Sequence, residues 1–230
     1  MQNDDLSSLL KLLSIEFKDI KILKQAFYHR SYLNEVKQNI ESNERLEFLG
    51  DSILSLVVSS ALFKLRESDT EGDLTNLRAY IVKTKSLSEA AKKLNLGKYL
   101  ELSKGEEMSG GRENPQLLAN TYEALLGAIF IDQGLESVKK VINKTLLNLF
   151  EKELKSGPPK DSKSSLQEIV QEKFKESPYY KIINTKGPDH DKEFTVGVYI
   201  NGKEYGTGSG SSKQEAEEHS AKEALQKIVS

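Results

Sequence analysis

Glu44, Glu47 and Asp51 lie within the ten residues NERLEFLGDS, Asn43 to Ser52, at positions i, i+3 and i+7. On a helix turning 100° per residue, these spacings bring three carboxylates into an arc of about 60°. Leu46, Phe48, Leu49, Ile53 and Leu54 take the other faces, and none of the three acids has a basic residue four positions on. Carboxylates so crowded repel one another unless a positive charge stands among them, which a divalent cation would supply. A second pair of oxygen-bearing side chains, Asn120 and Glu123, sits one turn apart in LLANTYEALLGAIF, beside Ala119, Ala124, Gly127 and Ala128, which are small enough to let another helix approach closely. If the two helices cross, their oxygen groups converge. Oxygen-only ligands suit Mg²⁺ or Mn²⁺, and such ions can generate a hydroxide nucleophile and stabilise the leaving oxygen in phosphodiester hydrolysis. Spacing alone more often marks an ordinary solvated acidic face and does not establish a nuclease.

The elements that must carry these residues are helical. Up to Leu154, apolar residues recur every three or four positions and the only proline is Pro115. One long helix is predicted from a cap at Ser42 or Asn43 through RLEFLGDSILSLVVSSALFKL; another has Asn114 as cap and Pro115 at its first position, and ends near Gly134. Residues 1–154 thus form an all-α domain. Residues 155–162, within a stretch of prolines, serines and charges that offers no apolar anchor, read as a flexible linker. Residues 163–230 change period. A helix through SLQEIVQEKF is followed by KIINTK and then FTVGVYI, where Phe194, Val196, Val198 and Ile200 alternate as the buried side of a strand. Asn201-Gly202 predicts a type I′ hairpin, and Ser212 with Glu215 a capping box that opens a last helix. The second domain is therefore a small α+β unit of order α-β-β-β-α.

Composition sets limits. The chain has no cysteine, which excludes disulfides and thiolate metal sites and favours a reducing interior. The opening MQNDDLSSLL is acidic where a signal peptide would be basic, and no apolar run reads as long enough to span a bilayer, so a cytoplasmic protein away from membranes is expected. Net charge is −2, and from Lys160 onward eleven lysines face twelve acids. Any affinity for a polyanion must come from where the lysines sit.

NERLEFLGDS resembles the signature of the ribonuclease III family. AFYHRSY (26–32), LTNLRAYIVKTKSL (74–87), KGEEMSGGRENP (104–115) and LLANTYEALLGAIFIDQG (117–134) resemble other stretches of that family in the same order. The resemblance implies a homodimeric endonuclease that hydrolyses double-stranded RNA with Mg²⁺, or Mn²⁺ as a substitute, and acts on no small-molecule substrate. It would leave 5′-phosphate and 3′-hydroxyl ends with short 3′ overhangs and serve ribosomal and messenger RNA processing. By motif, Glu47, Asp51 and Glu123 match metal ligands, Glu44 a supporting acid, and Phe48 a residue that inserts into the partner subunit. Position 120, most often aspartate in the family, is asparagine here. An amide oxygen can still ligate Mg²⁺, but it neutralises less charge. Two readings follow: an active endonuclease, or a duplex-RNA binder whose cleavage Asn120 reduces or abolishes.

The second domain resembles the double-stranded-RNA-binding domain at three places. Ser164, Gln167 and Glu168 on its first helix can meet 2′-hydroxyls across a minor groove. Gly187, Pro188 and His190 match a GPxH loop for the next minor groove. Ser212, Lys213 and Gln214 open the last helix towards the phosphates between. The family usually carries more lysines at residues 211–214 than the single Lys213 here, which predicts weaker, salt-sensitive binding. Lys83, Lys85, Lys104 and Arg112 are scattered cations and stay outside the candidate site.

Overall fold

The computed structural model describes residues 3–37, 40–158, 161–188 and 192–229. Two compact units emerge, Met1–Pro158 and Pro159–Ser230. The first contains α1 (Asn3–Leu13), α2 (Ile20–Gln25), α3 (Glu44–Leu65), α4 (Glu71–Val82), α5 (Thr84–Lys93), α6 (Lys104–Met108), α7 (Pro115–Gln133), α8 (Leu135–Thr145) and α9 (Glu151–Ser156). No strand occurs among its described residues, as the three- and four-residue apolar spacing requires.

The central pair is α3 against α7, and glycine sets their separation. A Cβ built on Gly127 would stand 2.2 Å from the Leu46 carbonyl oxygen, so the helices touch backbone to backbone at this level. Around the crossing, Leu46, Ile53, Leu54, Val57, Leu118, Leu125, Leu126 and Ile129 are buried in one continuous core. The fully buried Tyr122 hydroxyl shares a 2.7 Å hydrogen bond with Thr145 of α8, which satisfies its polar end inside that core.

The helix ends are punctuated much as the sequence suggests. The Asn114 side chain accepts from the backbone N–H groups of Gln116 and Leu117, and α7 stops at Gly134, whose φ of +77° favours glycine. At α3 the cap differs. Asn43 holds the N-cap position but makes no side-chain cap bond, because its amide is buried and donates to the Ala26 carbonyl. One expectation about α3 is also revised: at 22 residues with a mean hydropathy of 1.6 in its most apolar stretch, it is long and apolar enough to cross a bilayer. Its buried residues instead pack in the helical core, as in a core helix of a globular unit.

The second unit has the order α10 (Ser162–Phe174), β1 (Tyr179–Lys186), β2 (Glu193–Ile200), β3 (Lys203–Gly210) and α11 (Lys213–Val229). Its sheet is antiparallel in the order β1-β2-β3. Val196, Val198 and Ile200 are buried as their alternation predicts, and the helices supply Leu166, Val170, Ala221 and Ala224 to this second core. Asn201 and Gly202 have φ of +50° and +75°, the two left-handed positions of a type I′ turn. The capping box of α11 is shifted by one residue. Ser212 Oγ accepts from the Glu215 N–H, but the Glu215 carboxylate returns to the N–H and hydroxyl of Ser211.

Candidate active site

The α3–α7 crossing places Glu47 and Asp51 next to Asn120 and Glu123. Glu123 is pushed up to about 7 by desolvation and then by the negative charges of Asp51 and Glu47. Glu47 is raised as well, by burial, by Glu44 and by Asp51, while a hydrogen bond from Asn120 works the other way. Neither shift has a cationic side chain among its causes. The acids therefore share an uncompensated negative field at the rim of an apolar core.

Glu44 stands at the edge of this group. It accepts a 2.8 Å hydrogen bond from Ser42 Oγ and lies 3.8 Å from Arg30. That cation comes from another part of the chain, so a search for basic residues four positions along the helix does not reveal it.

Asn120, expected as an oxygen ligand, lies on α7 one turn before Glu123. Its Oδ1 already accepts from Gln116 Nε2 at 2.7 Å. Gln116 does not stand out in the sequence, although its i, i+4 spacing to Asn120 is the signal that could have found it.

Among the described residues, no three His, Cys, Asp or Glu side chains are gathered tightly enough to grip an ion as they stand. Like charges spread apart when nothing positive holds them, and one of the four expected ligand positions carries an amide. The donor chemistry nevertheless fits a hard divalent cation: Glu47, Asp51 and Glu123 offer only oxygens, and burial together with the charges of Asp51 and Glu47 raises the Glu123 carboxyl.

Other candidates are placed as follows. Phe48 is 78% exposed, so it is no core aromatic of this unit, and Leu56 and Phe63 are exposed on the same helix. Arg112 is committed to structure, donating to the Gly97, Lys98 and Leu100 carbonyls and to Glu107. Lys83 sits 3.8 Å over the Tyr80 ring. His29 and Ser31, from the HRSY stretch, are also structural: the His29 N–H donates to the Glu101 carbonyl, and Ser31 Oγ accepts from Ser103 N.

In the second unit, Ser164, Gln167, Ser212 and Gln214 line one open cleft with Asp161, Lys163, Glu215 and Glu218. Glu168 lies on the exposed side of α10 beside Gln167, and Lys213 is exposed at the start of α11. The acidity of this cleft is not evident from the sequence. Glu218 of α11 accepts from the N–H groups of Ser162 and Lys163, and Asp161 from that of Ser164, so the start of α10 already carries its own anions. Gly187 has a φ of +93° and Pro188 is exposed; His190 lies outside the described residues.

Comparisons with known proteins agree with this division. Residues 19–150 match the family model described as Ribonuclease-III-like, and residues 162–228 match the double-stranded RNA binding motif. A curated protein named Ribonuclease 3 from Treponema denticola is 44% identical over 229 residues, covering 100% of this chain and 93% of that protein. One of the same name from Bacillus velezensis is 47% identical over 220 residues, covering 94% of this chain and 87% of the relative. Among solved structures, the nuclease domain of ribonuclease III from Campylobacter jejuni, described as structurally flexible in a region involved in dimer formation, superposes with a TM-score of 0.57 at 41% identity, covering 64% of this chain and 96% of that one.

Proposed function

The chain belongs to the ribonuclease III family and is a metal-dependent endoribonuclease of double-stranded RNA, and from that premise we propose that Glu47, Asp51 and Glu123 form its hydrolytic centre. The observation that carries this reading is the meeting of the three carboxylates at the α3–α7 crossing, where burial and then the charges of Asp51 and Glu47 push Glu123 up to about 7 with no cation in the balance. Bound there, Mg²⁺, or Mn²⁺ in its place, would activate water and stabilise the departing 3′ oxygen. The protein's own part is to hold three carboxyl oxygen donors on two helices whose separation glycine fixes. Glu44, steadied by Arg30 and Ser42, adds negative charge behind Glu47.

The cut would leave 5′-phosphate and 3′-hydroxyl ends with short 3′ overhangs. Such products need two centres acting on opposite strands, and an exposed apolar stripe supports a homodimer. Phe48, Leu56 and Phe63 fall within an arc of about 80° on α3. Three large apolar side chains exposed on one helix face mark an association surface. The dimer-forming region of the similar Campylobacter jejuni nuclease domain points the same way. Duplex RNA would be held by Ser164, Gln167 and Glu168, by Gly187, Pro188 and His190, and by Ser212, Lys213 and Gln214. Its substrates would be structured ribosomal and messenger precursors in the cytoplasm.

The test is cleavage of a long RNA duplex with and without Mg²⁺, mapping both ends and running Asn120→Asp in parallel. Ion-dependent cutting with 5′-phosphate ends supports the reading. A retained gel shift with no cutting by the natural protein, restored in Asn120→Asp, would instead favour a binder disabled at position 120.

A further inference from the structure

Two successive acids of α11 hold one lysine of α10 at both ends. Lys163 Nζ donates to Glu217 Oε2 at 2.6 Å, and the Lys163 backbone N–H donates to Glu218 Oε2 at 3.4 Å. The ammonium also lies 5.0 Å from the centroid of the Tyr180 ring, a second attraction to the same place. Neither partner of the ion pair is freely solvated, since the Lys163 side chain is 36% exposed and that of Glu217 28%. Water therefore screens this pair less than it screens a fully exposed one.

The cleft beside the pair lacks the charge that Glu217 takes. Among the described residues lining it, Lys163 is the one basic side chain, against Asp161, Glu215 and Glu218. The start of α10 cannot compensate. The N–H groups of Ser162 and Ser164, which a helix N-terminus would otherwise present to a phosphate, already donate to Glu218 and Asp161.

We propose that the Lys163–Glu217 pair is a brake on duplex binding: while Glu217 holds the ammonium, Lys163 makes no phosphate contact, and the second unit binds RNA with one such contact fewer than its lysines allow. This rests on the reading of the cleft as an RNA surface. An ammonium bonded to a carboxylate at 2.6 Å must give up that bond before it can face a phosphate, so exchanging one anion for the other gains little. With residue 217 neutral, the same ammonium is open to a phosphate and displaces a counterion from the RNA. Affinity is thus set by a residue that need not touch the RNA itself.

The test is the fluorescence anisotropy of a labelled RNA duplex titrated with the full chain at several salt concentrations, without divalent ions so that nothing is cut. Glu217→Gln keeps the shape of the side chain and removes its charge. It should tighten binding by roughly three- to tenfold, the net scale of a single hydrogen bond, and steepen the slope of log affinity against log salt by about 1. Lys163→Met alone should leave the slope unchanged, and Glu217→Gln added to Lys163→Met should bring no steepening. A slope lowered by about 1 in Lys163→Met would show that Lys163 reaches a phosphate despite Glu217 and would overturn the proposal. So would a Glu217→Gln protein that binds no more tightly than the natural chain. Lys213→Ala is the control for the underlying reading. If it binds as the natural chain does, the RNA surface lies elsewhere, whereas a loss in Lys213→Ala with no gain in Glu217→Gln removes only the brake.

Discussion

A Cβ on Gly50 of α3 would lie 1.8 Å from the backbone carbonyl oxygen of Glu123 on α7, so the two halves of the acidic cluster meet only because residue 50 has no side chain. Gly50→Ala should therefore force the helices apart or shift one along the other. Overpacking of this kind costs about 2–3 kcal/mol. Urea denaturation should show that loss, and cleavage should fall further than the population of folded protein does. Full activity per folded molecule would show that the separation of the helices is not critical.

The titration of Glu123 links the site to stability. Its carboxyl holds a proton to about pH 7 in the folded protein, against an ordinary value of 4.5. The folded state thus binds more protons between these limits, and stability is lost as pH rises from about 4.5 through about 7. Glu123 is only partly buried, so after discounting for solvent screening the loss is on the order of 1 kcal/mol. In metal-free protein, Glu123→Gln should match the natural chain in thermal stability at acid pH and exceed it at pH values above 7. Parallel curves across the whole range would contradict this.

The exposed stripe of α3 makes a separate claim. Phe48 is 78% exposed and Phe63 73% within a single chain, a poor arrangement for a protein that stays monomeric. Phe48→Ser combined with Phe63→Ser should sediment as a folded monomer where the natural chain sediments as a dimer. A dimer unaffected by both changes would place the interface elsewhere.

For RNA binding, Lys213 is an exposed cation beside a cleft lined by Asp161, Glu215 and Glu218. Lys213→Ala should weaken binding to all duplexes alike and lower the slope of log affinity against log salt by about 1. Fluorescence anisotropy at several salt concentrations measures both. A loss confined to certain sequences would mean that this residue reads bases.

Much of this was legible in the residues. The apolar periods gave the helices, Asn114-Pro115 and Gly134 gave the ends of α7, and Asn201-Gly202 gave the hairpin, because each depends on local backbone chemistry. NERLEFLGDS placed three acids on one face because helical geometry is fixed by spacing. Tertiary partners were not legible. Arg30 beside Glu44, Glu218 capping α10, and the buried Asn43 amide turned to Ala26 are contacts that no local pattern encodes. Asn120 is the instructive case: its residue type suggested an oxygen ligand, and the donation to that oxygen from Gln116, one turn earlier on α7, was not foreseen.

That Glu47, Asp51 and Glu123 carry the cleavage is tested most directly by Glu123→Gln, because it removes one carboxylate while leaving the second unit, which matches the double-stranded RNA binding motif, untouched. Single-turnover cutting of duplex RNA with Mg²⁺ should drop by roughly 10²–10⁴-fold, several kcal/mol of transition-state stabilisation, while the gel shift on the same duplex stays at its natural strength. Cutting at the natural rate by Glu123→Gln would contradict the assignment.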